Sequence, residues 1–186
     1  MSRAAKFSLG EFDRMIECAV FDVTKRRRIE FIHGELREMG EVGPEHEWVV
    51  DLLNEWSGIC KVRDHVRVRI QSSLGLASSD SAPRPDMAWV VKGSYFTRRP
   101  TAEEALLVIE VAAESLAYDR GEKAKLYAAA GVADYWILNL IEQRIEVHRQ
   151  PEHGRYRSLT ILCKGQEGRP LKFPDLPLAV SELFAD

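Results

Sequence analysis

Residues 106–140 read LLVIEVAAESLAYDRGEKAKLYAAAGVADYWILNL, and this stretch decides the fold. Leu106–Val111 is a nearly continuous apolar run broken by Glu110, the pattern of a central strand buried on both faces. Asp119–Ala130 reads as one strong helix, with Gly131 placed to cap its C-terminus. Tyr135–Leu140 is again an apolar strand. Arg144–Arg149 alternates as its hairpin partner across Ile141–Gln143, and Tyr156–Cys163 supplies a further strand.

Working outward, Ser8 and Glu11 form a capping-box pair that opens a short helix over 8–18. Arg28–Ile32 and Glu35–Met39 flank His33-Gly34, the signature of a tight hairpin. Pro44-Glu45 opens a helix to about residue 59, with Val49, Leu52, Leu53 and Trp56 at helical spacing. Val66, Val68 and Ile70 alternate with Arg67 and Arg69, a half-buried strand with a basic outer face. Leu74–Pro83 and 92–104 read as loops, Met87–Val91 as a strand, and Val180–Phe184 as a short closing helix. Strands with one or two long helices in this order give an α/β architecture with a mixed sheet. No linker or repeat divides the chain, so residues 1–186 read as one domain.

The chain has 186 residues, 26 basic and 29 acidic, for a net charge of −3. That balance excludes a protein that coats nucleic acid through bulk charge. Positive charge is local instead, at Lys25–Arg28, Arg67, Arg69, Arg98 and Arg99. No apolar run approaches the ~18 residues of a membrane span. The N-terminus has no apolar signal core, so a cytoplasmic location is the expectation. Cys18, Cys60 and Cys163 are far apart and read as reduced, mostly buried thiols.

Two carboxylates stand out. Glu110 lies inside a buried strand, where an ionised carboxylate is costly unless it is paired with a cation or binds a metal. Asp86 follows Pro85 at the start of another apolar strand; it is either an ordinary turn aspartate or half of a pair. Two carboxylates from neighbouring strands make a hard-oxygen site for Mg²⁺. Lys123, with Tyr127 one turn later, lies on the helix that follows. It is either an i,i+4 partner of Asp119 or a cation poised over the site. Glu35 follows the hairpin turn and reads either as a solvated carboxylate or as a site residue. His46 sits in a first helical turn, which disfavours its charged form, so it is a surface residue or a neutral hydrogen-bonding group. GxGxxG, Walker A, HExxH and GxSxG signatures are all missing.

The ordered set HGEL, PEHE, RPDMAWV, LLVIEV, DRGEKAKLYAAAGVADYWIL and VSELF, over residues 8–184, resembles the Uma-two-type restriction endonuclease family of the PD-(D/E)XK nuclease superfamily. The segment DR-x-x-K-x-x-x-Y-x-x-x-GV-x-x-YW is its most specific part. The resemblance implies a restriction-endonuclease-like fold, a central mixed sheet flanked by helices. It implies Mg²⁺ or Mn²⁺ held by Glu35, Asp86 and Glu110, with Lys123 replacing the lysine that usually follows on the strand and Asp119 and Tyr127 supporting it. It implies a phosphodiester-cleaving endonuclease acting on DNA, and by analogy a homodimer, since enzymes that cut both strands often pair two sites. The chain departs from the family at Ala112–Ser115, where Ser-Pro-Ser is usual, and at Asn139-Leu140, where Asp-Pro is usual. A non-catalytic nuclease-fold protein that binds DNA or a protein partner is the alternative. A metal hydrolase of small phosphoesters ranks last, because the chain has no nucleotide-binding loop.

Overall fold

The computed structural model describes residues 4–21, 28–59 and 62–184. Lys25-Arg26-Arg27 and Cys60, singled out above, lie outside those residues. Ser8 closes the expected capping box on α1 (Leu9–Glu17): its hydroxyl accepts from Glu11 N, and Glu11 Oε2 accepts from Ser8 N at 2.8 Å. The hairpin β1 (Ile29–Ile32) and β2 (Glu35–Glu38) turns on His33 and Gly34, at φ +52° and +80°, the pair of positive φ values a two-residue hairpin turn needs. α2 (Pro44–Ile59) starts on proline, whose missing N–H costs nothing at a first helical position.

The main sheet runs β3 (Val66–Ile70), β4 (Met87–Val91), β5 (Ala105–Ala112), β6 (Asp134–Asn139), β7 (Arg144–Glu152), β8 (Arg155–Leu162). All neighbours pair antiparallel except β5 and β6, which are parallel. This is the mixed sheet of an α/β fold. A parallel pair needs a crossover, and here it is α3 (Leu116–Tyr118), a π-helical turn at Asp119–Lys123, and α4 (Ala124–Ala130). The reading of 119–130 as one uniform helix is corrected at this point. Its first five residues are wound more widely, a conformation that is rare and frequent at functional sites. Gly131, at φ +87°, caps α4. The small hairpin β9 (Glu167–Gly168) and β10 (Leu178–Ala179) leads into α5 (Val180–Leu183).

β5 is buried on both faces, as its composition required. Leu107, Ile109 and Val111 pack with Trp89, Trp136 and the α2 residues Val49, Leu53 and Trp56. Val108 and Ala112 pack on the other face with Ala124, Leu126 and Tyr127 of α4. Glu110 shares their parity, so it points into the layer between sheet and crossover. Gly168 lies against Trp136 so closely that a Cβ there would come within 2.8 Å of the indole. The thiols depart from expectation: Cys18 and Cys163 are exposed, because α1 ends at Glu17 and β8 at Leu162, leaving both just beyond the packed elements. Among the described residues no helix is long and apolar enough to cross a membrane.

Candidate active site

Sheet register brings the first two acids together. Met87 pairs with Ile109 and Ala88 with Val108, so Asp86 and Glu110 are the next residues beyond the end of that antiparallel ladder. Asp86 Oδ2 accepts a hydrogen bond from Val111 N at 2.9 Å, which fixes the aspartate against the strand that carries Glu110. Both are buried.

The crossover supplies the cation. Lys123 Nζ, at the end of the π turn, donates to Glu110 Oε1 at 3.0 Å, and Tyr127 Oη donates to the same oxygen at 2.9 Å. The structure thus places Lys123 and Tyr127 on one carboxylate. Asp119 Oδ1 lies 3.8 Å from Lys123 Nζ. Arg120, in the same turn, holds the crossover to the β6–β7 hairpin: its Nε donates to Glu146 Oε2 at 2.9 Å, and Asn139 Nδ2 donates to Glu146 Oε1. Burial pushes the Glu146 carboxyl up, but Arg120, Asn139 and Arg144 outweigh it and hold it at about 2.

His46, at the start of α2, completes the other side. Its Nε2 lies 3.0 Å from Asp86 Oδ2. The side chain is mostly buried, which favours the hydrogen-bonding reading over the surface one. Gln71 Nε2 donates to Asp86 Oδ1 at 3.3 Å.

Glu35 is not brought to this cluster. Its side chain is 43% exposed and lies 3.4 Å from both Lys6 and Arg37, at the turn end of the hairpin. The third carboxylate is Glu30, from β1, which sequence reasoning passed over. Glu30 is buried, its Oε1 accepts from Tyr118 Oη at 3.1 Å, and its Oε2 lies 3.5 Å from Lys123 Nζ. A signal was available: Ile29-Glu30-Phe31 repeats the apolar-Glu-apolar pattern of Ile109-Glu110-Val111.

Among the described residues three buried acids, Glu30, Glu110 and Asp119, therefore surround Lys123, and a fourth, Asp86, lies just beyond Glu110. Burial drives the Glu110 carboxyl well above the ordinary carboxylate range; Lys123 opposes this, while Asp119, Asp86 and Glu30 reinforce it. Burial likewise raises Asp119 against the pull of Lys123. Burial would raise Asp86 too, but His46 and the Val111 N–H together bring it below the usual value. For Lys123, burial is outweighed by Glu110, Glu30 and Asp119, so its pKa is raised and it stays an ammonium. Among the described residues Asp119 Oδ1 and His46 Nδ1 are buried without a hydrogen-bond partner.

This excess of buried negative charge, made of hard carboxylate oxygens, fits Mg²⁺ or Mn²⁺. A divalent cation would compensate the charge that Lys123 leaves unbalanced. In the side-chain arrangement seen, Lys123 fills the centre, and among the described residues no three His, Cys, Asp or Glu side chains converge on a single metal position.

A family model named Uma2 and described as "Putative restriction endonuclease" matches residues 9–181. A crystal structure of "a putative nuclease belonging to DUF820" from Anabaena variabilis superposes with a TM-score of 0.67 at 15% identity, covering 84% of this chain and 89% of that one. The type IIG restriction endonuclease BpuSI is a more distant match, with a TM-score of 0.46 and 14% identity over 78% of this chain and 16% of that one. No curated protein is similar enough to match. The first likeness establishes the nuclease-type fold.

Proposed function

The chain belongs to the Uma2 family, and on that footing we propose a divalent-metal-dependent endonuclease that hydrolyses phosphodiester bonds in DNA. The observation that carries this reading is the buried cluster in which Asp86, bonded through Oδ2 to Val111 N, adjoins Glu110 while Lys123 reaches Glu110 from the crossover at 3.0 Å.

In this reading Asp86 and Glu110 hold the metal, and Glu30 takes the place expected for Glu35. The bound cation would polarise a phosphate oxygen and lower the pKa of a water. His46 orients Asp86 through Oδ2, and Tyr127, kept neutral because burial raises its pKa, orients Glu110. Lys123 remains charged, so it does not serve as a general base. Its ammonium orients the attacking water and offsets charge that builds on the phosphate. Asp119 keeps Lys123 in place from within the same turn.

Plasmid cleavage with Mg²⁺ or Mn²⁺ tests the proposal on the wild type, Asp86→Ala and Lys123→Ala. The wild type should cleave and both variants should lose the activity; equal activity in all three refutes it. One observation favours a second reading, a nuclease-fold protein that binds DNA or a protein partner without cutting. Lys123 already bridges Glu110 and Glu30, an internal cation where an external one would bind. Calorimetric titration with Mn²⁺ separates the two. Heat that disappears in Asp86→Ala supports the enzyme, and none in the wild type supports the binding protein.

A further inference from the structure

Of the basic residues along the chain, the fold gathers three into one cleft. Arg67 turns to the carbonyl of Gly93, and Arg98 is held by Glu104. Arg69, Arg84 and Arg99 instead line a cleft of about 280 Å³ together with Gln71, Ser72 and Ser73. Two of the three are partly committed. Arg84 donates from Nε and Nη2 to Gln71 O, at 3.2 and 3.0 Å. Arg99 donates to Ser73 Oγ at 2.9 Å and pairs with Asp13 at the rim. Arg69 lies with its guanidinium 5.8 Å from the Tyr95 ring centroid, but its Nε is buried and meets no hydrogen-bond acceptor among the described residues. A buried donor without a partner costs roughly 1–3 kcal/mol, more when it is charged. Burial lowers the Arg69 pKa, and Arg67 and Arg99 add to that against the opposing pull of Tyr95. An oxyanion in the cleft would relieve both effects.

One residue joins this cleft to the candidate active site. Gln71 sits at φ +44°, a left-handed conformation that a non-glycine residue holds only where its surroundings demand it. Its carbonyl accepts from Arg84, its N–H donates to Asp86 O at 3.0 Å, and its side-chain amide donates to Asp86 Oδ1. We infer that the Arg69–Arg84–Arg99 cleft is a phosphate subsite that seats a backbone phosphate of the nucleic-acid strand, flanking the position at which Asp86 acts. Guanidinium forks and serine hydroxyls are the donors such a phosphate takes. The choice of a polymer phosphate over a free one rests on the nuclease reading above.

The test is fluorescence anisotropy of a labelled DNA duplex in EDTA over roughly 50–200 mM salt, where neutralising one phosphate contributes about 0.9 to the slope of log K against log salt. The variant pair Arg69→Met/Arg99→Met should weaken binding and flatten the slope by about 0.9. Arg69→Lys/Arg99→Lys should restore most of the slope by restoring the charge. If the double methionine variant does not fold, Arg69→Met alone carries the test, since Arg69 Nε bonds to nothing else described. Unchanged binding and slope overturn the inference. If binding and slope are unchanged while inorganic phosphate stabilises the wild type and not the variant, the cleft is a small-anion site and the inference fails. The two readings can fail separately. Wild type that binds through the arginines and never cleaves defeats the nuclease reading alone. Cleavage that needs Asp86 and ignores the arginines defeats the subsite alone.

Discussion

Replacing Lys123 with methionine removes the one cation that the described residues place among Glu30, Glu110 and Asp119, while keeping most of the side-chain volume. The lysine and Glu110 side chains are 4% and 3% exposed, so solvent screens their interaction little. Deleting one partner of a buried pair costs about 3–5 kcal/mol when the other stays charged. Glu110 has an escape: its pKa is already raised, and without Lys123 it rises further. A carboxyl raised in the folded state contributes stability that is fully present below its unfolded pKa and is lost as pH rises through its folded pKa. The variant should therefore lose about 3–5 kcal/mol at pH 8, or roughly 6–20 °C in Tm for a chain of this size. It should lose less as pH falls to 5, because the raised Glu110 carboxyl takes up its proton at higher pH in the folded variant than in the unfolded chain, each unit of that difference amounting to about 1.4 kcal/mol. Circular-dichroism melts of wild type and variant at both pH values measure this. Adding Glu110→Gln to the variant should remove most of the pH dependence. A loss equal at pH 5 and pH 8, or below about 1 kcal/mol at pH 8, refutes the reasoning.

Glu30→Gln should reduce Mg²⁺-dependent cleavage, whereas Glu35→Gln, at a half-exposed carboxylate, should leave it near wild type; the reverse result in a plasmid assay would return Glu35 to the site. Gly168→Ala places a methyl 2.8 Å from the Trp136 ring and should destabilise by about 1–3 kcal/mol in denaturant unfolding. Cys18 and Cys163 should react with a thiol reagent in the native protein within minutes, and protection of either until unfolding would contradict its exposure.

The sheet and the first two acids were legible because burial and period act locally. The apolar run around Glu110 cannot sit in solvent, and Pro85-Asp86 marks where a strand begins. Lys123 was legible only through the family pattern, since spacing alone fits an ordinary i,i+4 pair with Asp119 equally well. Glu30 was hidden by its position: it follows a basic run in a four-residue strand, and the register that buries it comes from packing against Ala82, Tyr118 and Arg84, far away in sequence. Glu35 entered through the family pattern; it shares the β1–β2 face that carries Glu30, but it sits at the turn end, where Lys6 and Arg37 hold it near the surface. The π turn has no local signature, because Asp119–Lys123 satisfies α-helical preferences residue by residue. It forms where Lys123 must meet Glu110 while Arg120 is held by Glu146. The cysteines followed a general preference for burial, and the ends of α1 and β8 overrode it.

The crossover that joins the two parallel strands has a consequence for how the chain folds. If β4, β5 and β1 came together first, Asp86, Glu110 and Glu30 would meet with no lysine between them, and their mutual repulsion and desolvation would work against that half-formed sheet. Docking of residues 116–130 supplies the missing charge. The acidic cluster thus penalises the intermediate in which sheet and crossover are separated, and it ties the two into one cooperative unit.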